Sequence, residues 1–282
     1  AHAKEGVFIR VTGQLKHNII INYSGDKEGS DALIHNLLRV EDSASVTLIE
    51  TGEGGSRANR LLECDILENA DCNHIRFFGT NTLAHILTQC FVRQTKSSTY
   101  NQFSLTVKNV FSRNECFVSL EGEGCKTSIS AASIGEEGTL QDDTVFIAHM
   151  MPNCESRQVF KKVLTHNAVG IFQGKIFVDP KSQKTDGYQI SKGLLLDQES
   201  RFLTKPELEI YADDVICSHG STCGDLDEES LFYLMSRGIS REQGVSMLTM
   251  AFLDETLEEI VDNLLASKIR DFLLKTLGIN FE

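Results

Sequence analysis

The residues best suited to chemistry are a cysteine and a histidine separated by one position, Cys217 and His219. They follow a strand-like stretch, residues 208–216. If that strand continues, its two-residue period puts both side chains on one face. A thiolate and an imidazole on one face are suitable ligands for iron or zinc. Cys223 lies four residues beyond His219 and can fold back as a third ligand.

The same residues also permit a purely structural role. Cysteine is among the most often buried residue types, and an isolated histidine is usually a hydrogen-bonded core or surface residue. No two cysteines have C-x-x-C spacing, so we expect free thiols rather than a zinc ribbon or disulfides. Most are expected to pack in the core, namely Cys64, Cys72, Cys90, Cys116, Cys125 and Cys154. Spacing alone favours this structural role over a metal site.

Motifs of common enzyme classes are missing from the sequence. There is no G-x-x-x-x-G-K-[ST] loop, no G-x-S-x-G elbow and no H-E-x-x-H pair. The glycine-rich residues 51–55 and 121–124 are predicted to be turns in acidic settings, which suit phosphate poorly. We therefore expect that the chain does not hydrolyse ATP by itself.

Composition limits the partners. The formal net charge of −13 argues against nucleic acid and against anionic membrane surfaces, which both need a concentrated basic face. No stretch approaches the roughly 20 apolar residues of a membrane span, and no secretory signal is visible. A cytoplasmic location is expected. The sequence begins without Met and runs almost directly into a strand, which is typical of a segment of a longer protein.

Most of the chain is predicted to be short strands, rich in β-branched and aromatic residues and bounded by turn residues. The predicted strands are residues 7–11, 18–23, 45–49, 74–78, 103–107, 116–120, 144–148, 170–172, 175–178 and 207–211, with 84–93 also more strand-like than helical. A sandwich, a barrel and a parallel β-helix all remain possible. Only Asp186-Gly187 has the composition of a tight hairpin turn, and this scarcity favours the β-helix.

The last sixty residues change to helical patterns. Asp227 is predicted to cap a first helix that ends at Gly238, and Ser240 with Gln243 forms a capping box for a second. A third is predicted to begin at Asp254 with one apolar stripe, comprising Leu257, Ile260, Val261, Leu264, Leu265, Phe272 and Leu273. Part of this stripe is expected to close the end of the core. The chain thus divides into an all-β body, 1–224, and a helical domain, 225–282.

A family resemblance covers at least residues 150–253. The run of residues 205–239, KPELEIYADDVICSHGSTCGDLDEESLFYLMSRGI, closely resembles the C-terminal signature of the SufB/SufD family of iron–sulfur cluster assembly proteins. The segments NCESR at 153–157, FQGK at 172–175 and KTDG at 184–187 are similar to that family as well. The triplet Ser218-His219-Gly220 resembles the SufD branch, because SufB-type sequences tend to carry Glu after this histidine.

The resemblance implies a right-handed parallel β-helix followed by a C-terminal helical domain. It implies a non-catalytic scaffold that pairs with SufB edge to edge, binds the ATPase SufC through its helices and holds no tightly bound cofactor. Transient iron or an iron–sulfur cluster would form at the SufB interface. There His219 would be a metal ligand shared with the partner, and Cys217 would be the second candidate. We expect Leu231, Phe232 and Leu234 to contact SufC, and pairing of two copies of the chain is also possible.

Two other functions remain open from the sequence. A mononuclear metal-binding protein would use Cys217 and His219, with Cys223 as a third ligand. A β-helix polysaccharide-active enzyme would need clustered acidic and arginine side chains on one sheet.

Overall fold

The computed structural model of the protein describes residue 3 and residues 5–25, 31–52, 54–78, 84–107 and 110–279. Glu53, within the first glycine-rich run, and the ends of the two expected domains, 1–2 and 280–282, lie outside the described residues.

The described strands form two parallel sheets, and the chain changes sheet at every strand. Sheet A contains, in spatial order, β1 (Phe8–Val11), β3 (Asp31–Val40), β5 (Arg57–Ile66), β7 (His85–Gln94), β9 (Phe111–Leu120), β11 (Leu140–His149), β13 (Val169–Val178) and β15 (Arg201–Ile210). Sheet B contains β2 (Ile19–Asn22), β4 (Ser45–Thr51), β6 (Asp71–Phe78), β8 (Thr99–Val107), β10 (Lys126–Gly135), β12 (Glu155–Leu164), β14 (Thr185–Leu195) and β16 (Val215–Gly224). This winding is a parallel β-helix, and it confirms the predicted fold.

Alternating burial along the strands explains why the coils stack. In β9 every second side chain is buried between the two sheets, comprising Ser112, Asn114, Cys116, Val118 and Leu120. Each coil places such a set directly above that of the previous coil, because neighbouring strands pair in register. The interior therefore consists of columns of side chains, and several of these columns are polar.

Five long strands escaped sequence prediction: β3, β5, β10, β12 and β14. They contain few consecutive β-branched or aromatic residues, as in KTSISAASIG of β10, and coil stacking rather than local propensity makes them strands. The Asp186-Gly187 pair lies inside β14 and forms no hairpin turn. The strand prediction for residues 84–93 is confirmed by β7.

Three helices follow within the described chain: α1 (Glu228–Ser236), α2 (Arg241–Leu257) and α3 (Asn263–Thr276). Asp227 caps α1, and the capping box of Ser240 and Gln243 opens α2, both as predicted. The predicted start of α3 at Asp254 is wrong, since that residue lies within α2. The cap is Asp262, whose carboxylate accepts hydrogen bonds from two backbone N–H groups of the next turn. None of the described helices is long and apolar enough to cross a membrane.

The helices cover the outer face of sheet B and do not close the end of the core, contrary to expectation. Outward-facing Phe77 packs edge-on against Phe272 of α3, with ring centroids 4.7 Å apart. Between sheet B and the helical segment, Arg157 of β12 pairs with Glu259 at 2.7 Å, and Lys161 of β12 pairs with Glu255. Apolar side chains on the outer face of sheet B require this cover. The end formed by the last coil consequently remains open.

Candidate functional site

Strands β15 and β16 form the open C-terminal end of the β-helix. Within the described residues each has only one neighbour in its sheet, β13 and β14 respectively. The outer edge of each strand therefore presents backbone N–H and C=O groups without a ladder partner. Such edges are templates for pairing with a strand of another chain.

Cys217 and His219 both lie on β16, on the face that points toward the interior. Their neighbours across the ladder are Gly187 and Gln189 of β14, which are buried between the sheets. Cys217 packs against the apolar group that includes Ile176. The strand expected over 208–216 is interrupted at 211–214, between β15 and β16, but β16 is continuous from Val215, so the two side chains share one face.

The Cys217 thiol is half-buried, and Gly187 makes room for it. A Cβ atom on Gly187 would lie 3.2 Å from the Cys217 sulfur, which is closer than most such contacts. Burial raises the pKa of this thiol, the charge of Asp186 adds to the increase, and a backbone hydrogen bond from Gly187 opposes it. The thiol is therefore protonated at neutral pH, and a metal that binds it must displace the proton.

His219 is exposed at the open end, directly above a buried glutamine. The side chain of Gln189 is fully buried, and its Oε1 atom has no hydrogen-bond partner. Two residues further along β16, Ser221 bonds to Ser191 and to Thr204 of β15, both at 3.0 Å. Those bonds tie β16 to both sheets, so the imidazole is presented by an anchored strand.

Cys223 does not fold back toward the other two side chains. Strand β16 runs on to Gly224, and Cys223 lies six positions along the extended chain from Cys217. At the rise of a β-strand this is about 20 Å. Cys223 is exposed and cannot share a metal ion with Cys217 in this conformation.

The open end supplies an incomplete set of metal ligands. Nowhere in the described ranges do three or more His, Cys, Asp or Glu side chains form a group that could hold a metal ion. His219 and Cys217 offer two donors, whereas protein metal sites of this kind use about four. A metal ion held here would require further ligands from a second molecule.

Exposed apolar side chains surround the open edges. Ile216, beside Cys217, is 75% exposed, and Leu203 of β15 is 53% exposed. Tyr211, just after β15, is also exposed, and its hydroxyl donates to Glu209 at 2.9 Å. Large apolar groups beside unpaired strand edges are typical of a surface that is buried by a partner.

The sequence comparisons agree with this architecture. The sequence model described as "SUF system FeS cluster assembly, SufBD core domain" matches residues 22–252. The chain belongs to the SufBD family. It is 31% identical to the "Iron-sulfur cluster assembly protein SufD" of Escherichia coli over 205 residues, covering 73% of this chain and 48% of that protein.

Two further relatives come from Synechocystis and Arabidopsis thaliana. A SufBD family iron–sulfur cluster assembly protein of Synechocystis is 30% identical over 79% of this chain and 52% of its own length. The chloroplastic protein ABCI7 of Arabidopsis thaliana is 27% identical over 88% of this chain and 54% of its own length. The chain thus spans about half the length of the curated relatives it matches.

The three α1 residues predicted to contact a partner differ in exposure. In this SufBD chain Leu231 is fully buried, and its Cδ1 atom would lie 2.7 Å from a Cβ on Gly244 of α2. Leu234 is half-buried, whereas Phe232 is 73% exposed. Tyr233 is also exposed. The accessible apolar patch of α1 is therefore built on Phe232 and Tyr233, with Leu231 serving the contact between helices.

Sequence reasoning missed a buried polar network inside the SufBD β-helix. His74 lies 2.6 Å from Glu50 through Nε2 and 2.8 Å from the Tyr100 hydroxyl through Nδ1. Tyr23 donates to Glu50, and Arg76 pairs with Glu50 at 3.6 Å. No local motif marks these residues, since they come from four successive coils and only His74 and Arg76 share a strand, β6.

The charges in this network stabilise one another. Burial alone would raise the pKa of Glu50, but the hydrogen bond and charge of His74, with the charge of Arg76, lower it to about 2. Burial likewise opposes protonation of His74, yet its interactions with Cys90 and Glu50 raise the His74 pKa above the usual value. The imidazolium can therefore donate to both Glu50 and Tyr100.

Proposed function

We propose that this chain is a SufD-like, non-catalytic scaffold subunit in cytoplasmic iron–sulfur cluster assembly. In this proposal the open edges of β15 and β16 pair with a SufB chain. His219, with Cys217 second, provides ligands for iron or a nascent cluster, whose remaining ligands come from SufB. The cluster is cargo that leaves the site, so no tightly bound cofactor is expected.

One observation carries the proposal. An exposed imidazole and a half-buried thiol lie on an anchored edge strand whose outer edge has no ladder partner among the described residues. Two donors favour weak, shared binding of a metal over a complete resident site, and membership of an assembly family points the same way. Both considerations favour the scaffold over a mononuclear metalloprotein and over a polysaccharide-active enzyme.

Co-expression with SufB and SufC tests the proposal. We expect the three proteins to co-purify as one complex and the chain to bury its β15 and β16 edges in it. Failure of the folded chain to associate with SufB would contradict the proposal. Without SufB, the same edges permit pairing of two copies about a two-fold axis, which size measurements would detect.

His219→Ala tests the ligand role. The complex is expected to form, while the amount of cluster assembled in it falls severely, because a donor is lost from the interface. Ser218→Ala is the matched control, since Ser218 points to the opposite face of β16. Wild-type cluster assembly by the His219→Ala complex would exclude this residue as a ligand.

Phe232→Ser tests the expected SufC contact of the helical domain. Loss of an exposed aromatic anchor is expected to weaken co-purification of SufC by at least tenfold in affinity, equivalent to about 1.4 kcal/mol. Leu264→Ser is a suitable control, because Leu264 is a similarly exposed apolar residue on α3. Equal SufC binding by both variants would remove α1 from the contact surface.

A further inference from the structure

Two cysteines occupy the same corner of consecutive coils. Cys125 directly precedes β10 and Cys154 directly precedes β12. The next residues, Lys126 and Glu155, pair in register, and the Glu155 N–H donates to the Cys125 carbonyl at 2.9 Å. In-register neighbours in a parallel sheet lie about 4.8 Å apart. This separation falls within the range of about 4.4–6.8 Å between Cα atoms that a disulfide requires.

The two thiols point to the same place. Both side chains are fully buried, and both hydrogen-bond the carbonyl oxygen of Gly122, at 3.1 Å from the Cys125 sulfur and 3.3 Å from the Cys154 sulfur. Ser98 of the preceding coil lies 3.8 Å from the Cys125 sulfur. A shared acceptor holds the two sulfurs side by side, so joining them requires only a small movement.

We propose that Cys125 and Cys154 are a redox-active dithiol, which small disulfides of the glutathione class convert reversibly to a disulfide. The Cys125 thiolate attacks one sulfur of the small disulfide and expels one small thiolate, leaving a mixed disulfide. Cys154 then attacks the Cys125 sulfur and expels the second small thiol, while its proton passes to solvent base. Overall two protein thiols are oxidised and one small disulfide is reduced to two thiols.

The roles of the two sulfurs differ. When the Cys154 thiol donates its hydrogen to the Cys125 sulfur instead of to Gly122, the pKa of Cys125 falls to about 7, although burial opposes this shift. The same hydrogen bond, together with burial, raises the pKa of Cys154. Cys125 is consequently the attacking thiolate, and Cys154 resolves the mixed disulfide.

Access to the pair runs through the glycine-rich turn at residues 121–124. Its Glu121 and Glu123 are exposed, and the turn lies over both sulfurs through Gly122. The turn is held by the Asn153 side chain, which donates to Glu123 at 2.8 Å, and by a few backbone hydrogen bonds. Local opening of such an exposed turn is the route by which a small disulfide reaches Cys125.

A second pair of in-register cysteines provides an internal control. Cys90 and Cys116 pair across β7 and β9, but they lie at the centre of the strands, between the sheets. Because they lie in the closed interior and not beside a turn, we expect them to stay reduced while Cys125 and Cys154 react.

In the test, the folded chain is equilibrated with reduced and oxidised glutathione at graded ratios. The mixture is then quenched with acid, alkylated and analysed by mass spectrometry. Cleavage after glutamate separates Cys116 from Cys125, because Glu121 lies between them. We expect the Cys125–Cys154 disulfide to be the main intramolecular cross-link and to disappear with excess reduced glutathione. In Cys154→Ser the mixed disulfide at Cys125 should accumulate, and in Cys125→Ser the thiol at position 154 should stay reduced.

The proposal is overturned if the folded wild-type chain forms no Cys125–Cys154 disulfide at any ratio while the exposed Cys223 is glutathionylated. A cross-link that appears only in unfolding concentrations of urea would overturn it equally. Glu123→Ala removes the hydrogen bond from Asn153 that holds the turn. Oxidation is expected to become roughly threefold to tenfold faster, which corresponds to the free energy of one hydrogen bond. An unchanged rate would exclude the turn as the gate.

Discussion

Two imidazole–thiol combinations lie in the same β-helix, and they differ in enclosure. His74 with Cys90 is fully buried in the interior, whereas His219 with Cys217 lies at the open end. Both histidines belong to one inward-facing column of sheet B, which runs in register through His74, Gln102, Ile129, Gln158, Gln189 and His219. The same position on the coil therefore carries two different environments.

The comparison shows how a coil on each side changes the surroundings of a histidine in this column. Inside, the coils above and below His74 supply Glu50 and Tyr100, so every polar group of the imidazole has a partner. At the open end the described chain forms no further coil, so His219 has a neighbouring strand, β14, on one side only. The interior site stabilises the fold, and the site at the end is available to a partner.

The largest expected effect is on stability, from Glu50→Ala. Removing this carboxylate leaves His74 and Arg76 charged and buried without compensation, which costs about 3–5 kcal/mol in the free energy of unfolding. Urea denaturation measures it. Glu63→Ala is the matched control, since Glu63 pairs with His35 on the surface at 2.9 Å and should cost below about 1 kcal/mol. Similar losses of unfolding free energy for both variants would contradict a greater contribution from the interior network than from the surface pair.

The pH dependence of stability should report the same network. The pKa of Glu50 is below its ordinary value of 4.5, so its contribution is complete above that pH and is lost as pH falls toward 2. The pKa of His74 is raised, so its contribution is complete below 6.5 and is lost as pH rises through the folded value. Thermal unfolding between pH 3 and 7 should show a larger acid loss for the wild type than for Glu50→Gln. Parallel curves would show that Glu50 does not titrate in this way.

The smallest expected effect is a difference in the rates at which thiols at the open end and in the interior are labelled, which compares the two regions directly. Under native conditions, an alkylating reagent should modify exposed Cys223 first and half-buried Cys217 more slowly, with the six buried cysteines protected on that timescale. If the chain pairs with SufB as proposed, SufB should then protect Cys217 and leave Cys223 less affected. Modification of Cys90 as fast as Cys217 would mean that the interior is not closed.

Local patterns predicted some elements well and others poorly. Strand-forming residues identified part of β8, and capping residues identified α1 and the start of α2, because those signals lie within a few residues of each other. The start of α3 was misplaced, since the apolar stripe continues past the break before Asp262. Strands such as β10 carry little local preference, so only their neighbours above and below make them strands.

The polar residues singled out above likewise include some that the sequence identified and some that it did not. Cys217 and His219 were identified from their spacing and their family signature, as both signals are contiguous in sequence. The network of Glu50, His74 and Tyr100 was not identified from the sequence. His74 lies 24 positions after Glu50 and 26 before Tyr100, and the three side chains meet only when successive coils stack.

By itself the sequence determined the class of fold, the two side chains at the open end and the family. These depend on short-range periodicity and on a contiguous run of residues. Only the tertiary structure decided that Leu231 is buried, that Cys223 lies far from Cys217, and that Cys125 and Cys154 adjoin. Such relations depend on coil length and register, which vary from one turn of the helix to the next and leave no fixed repeat in the sequence.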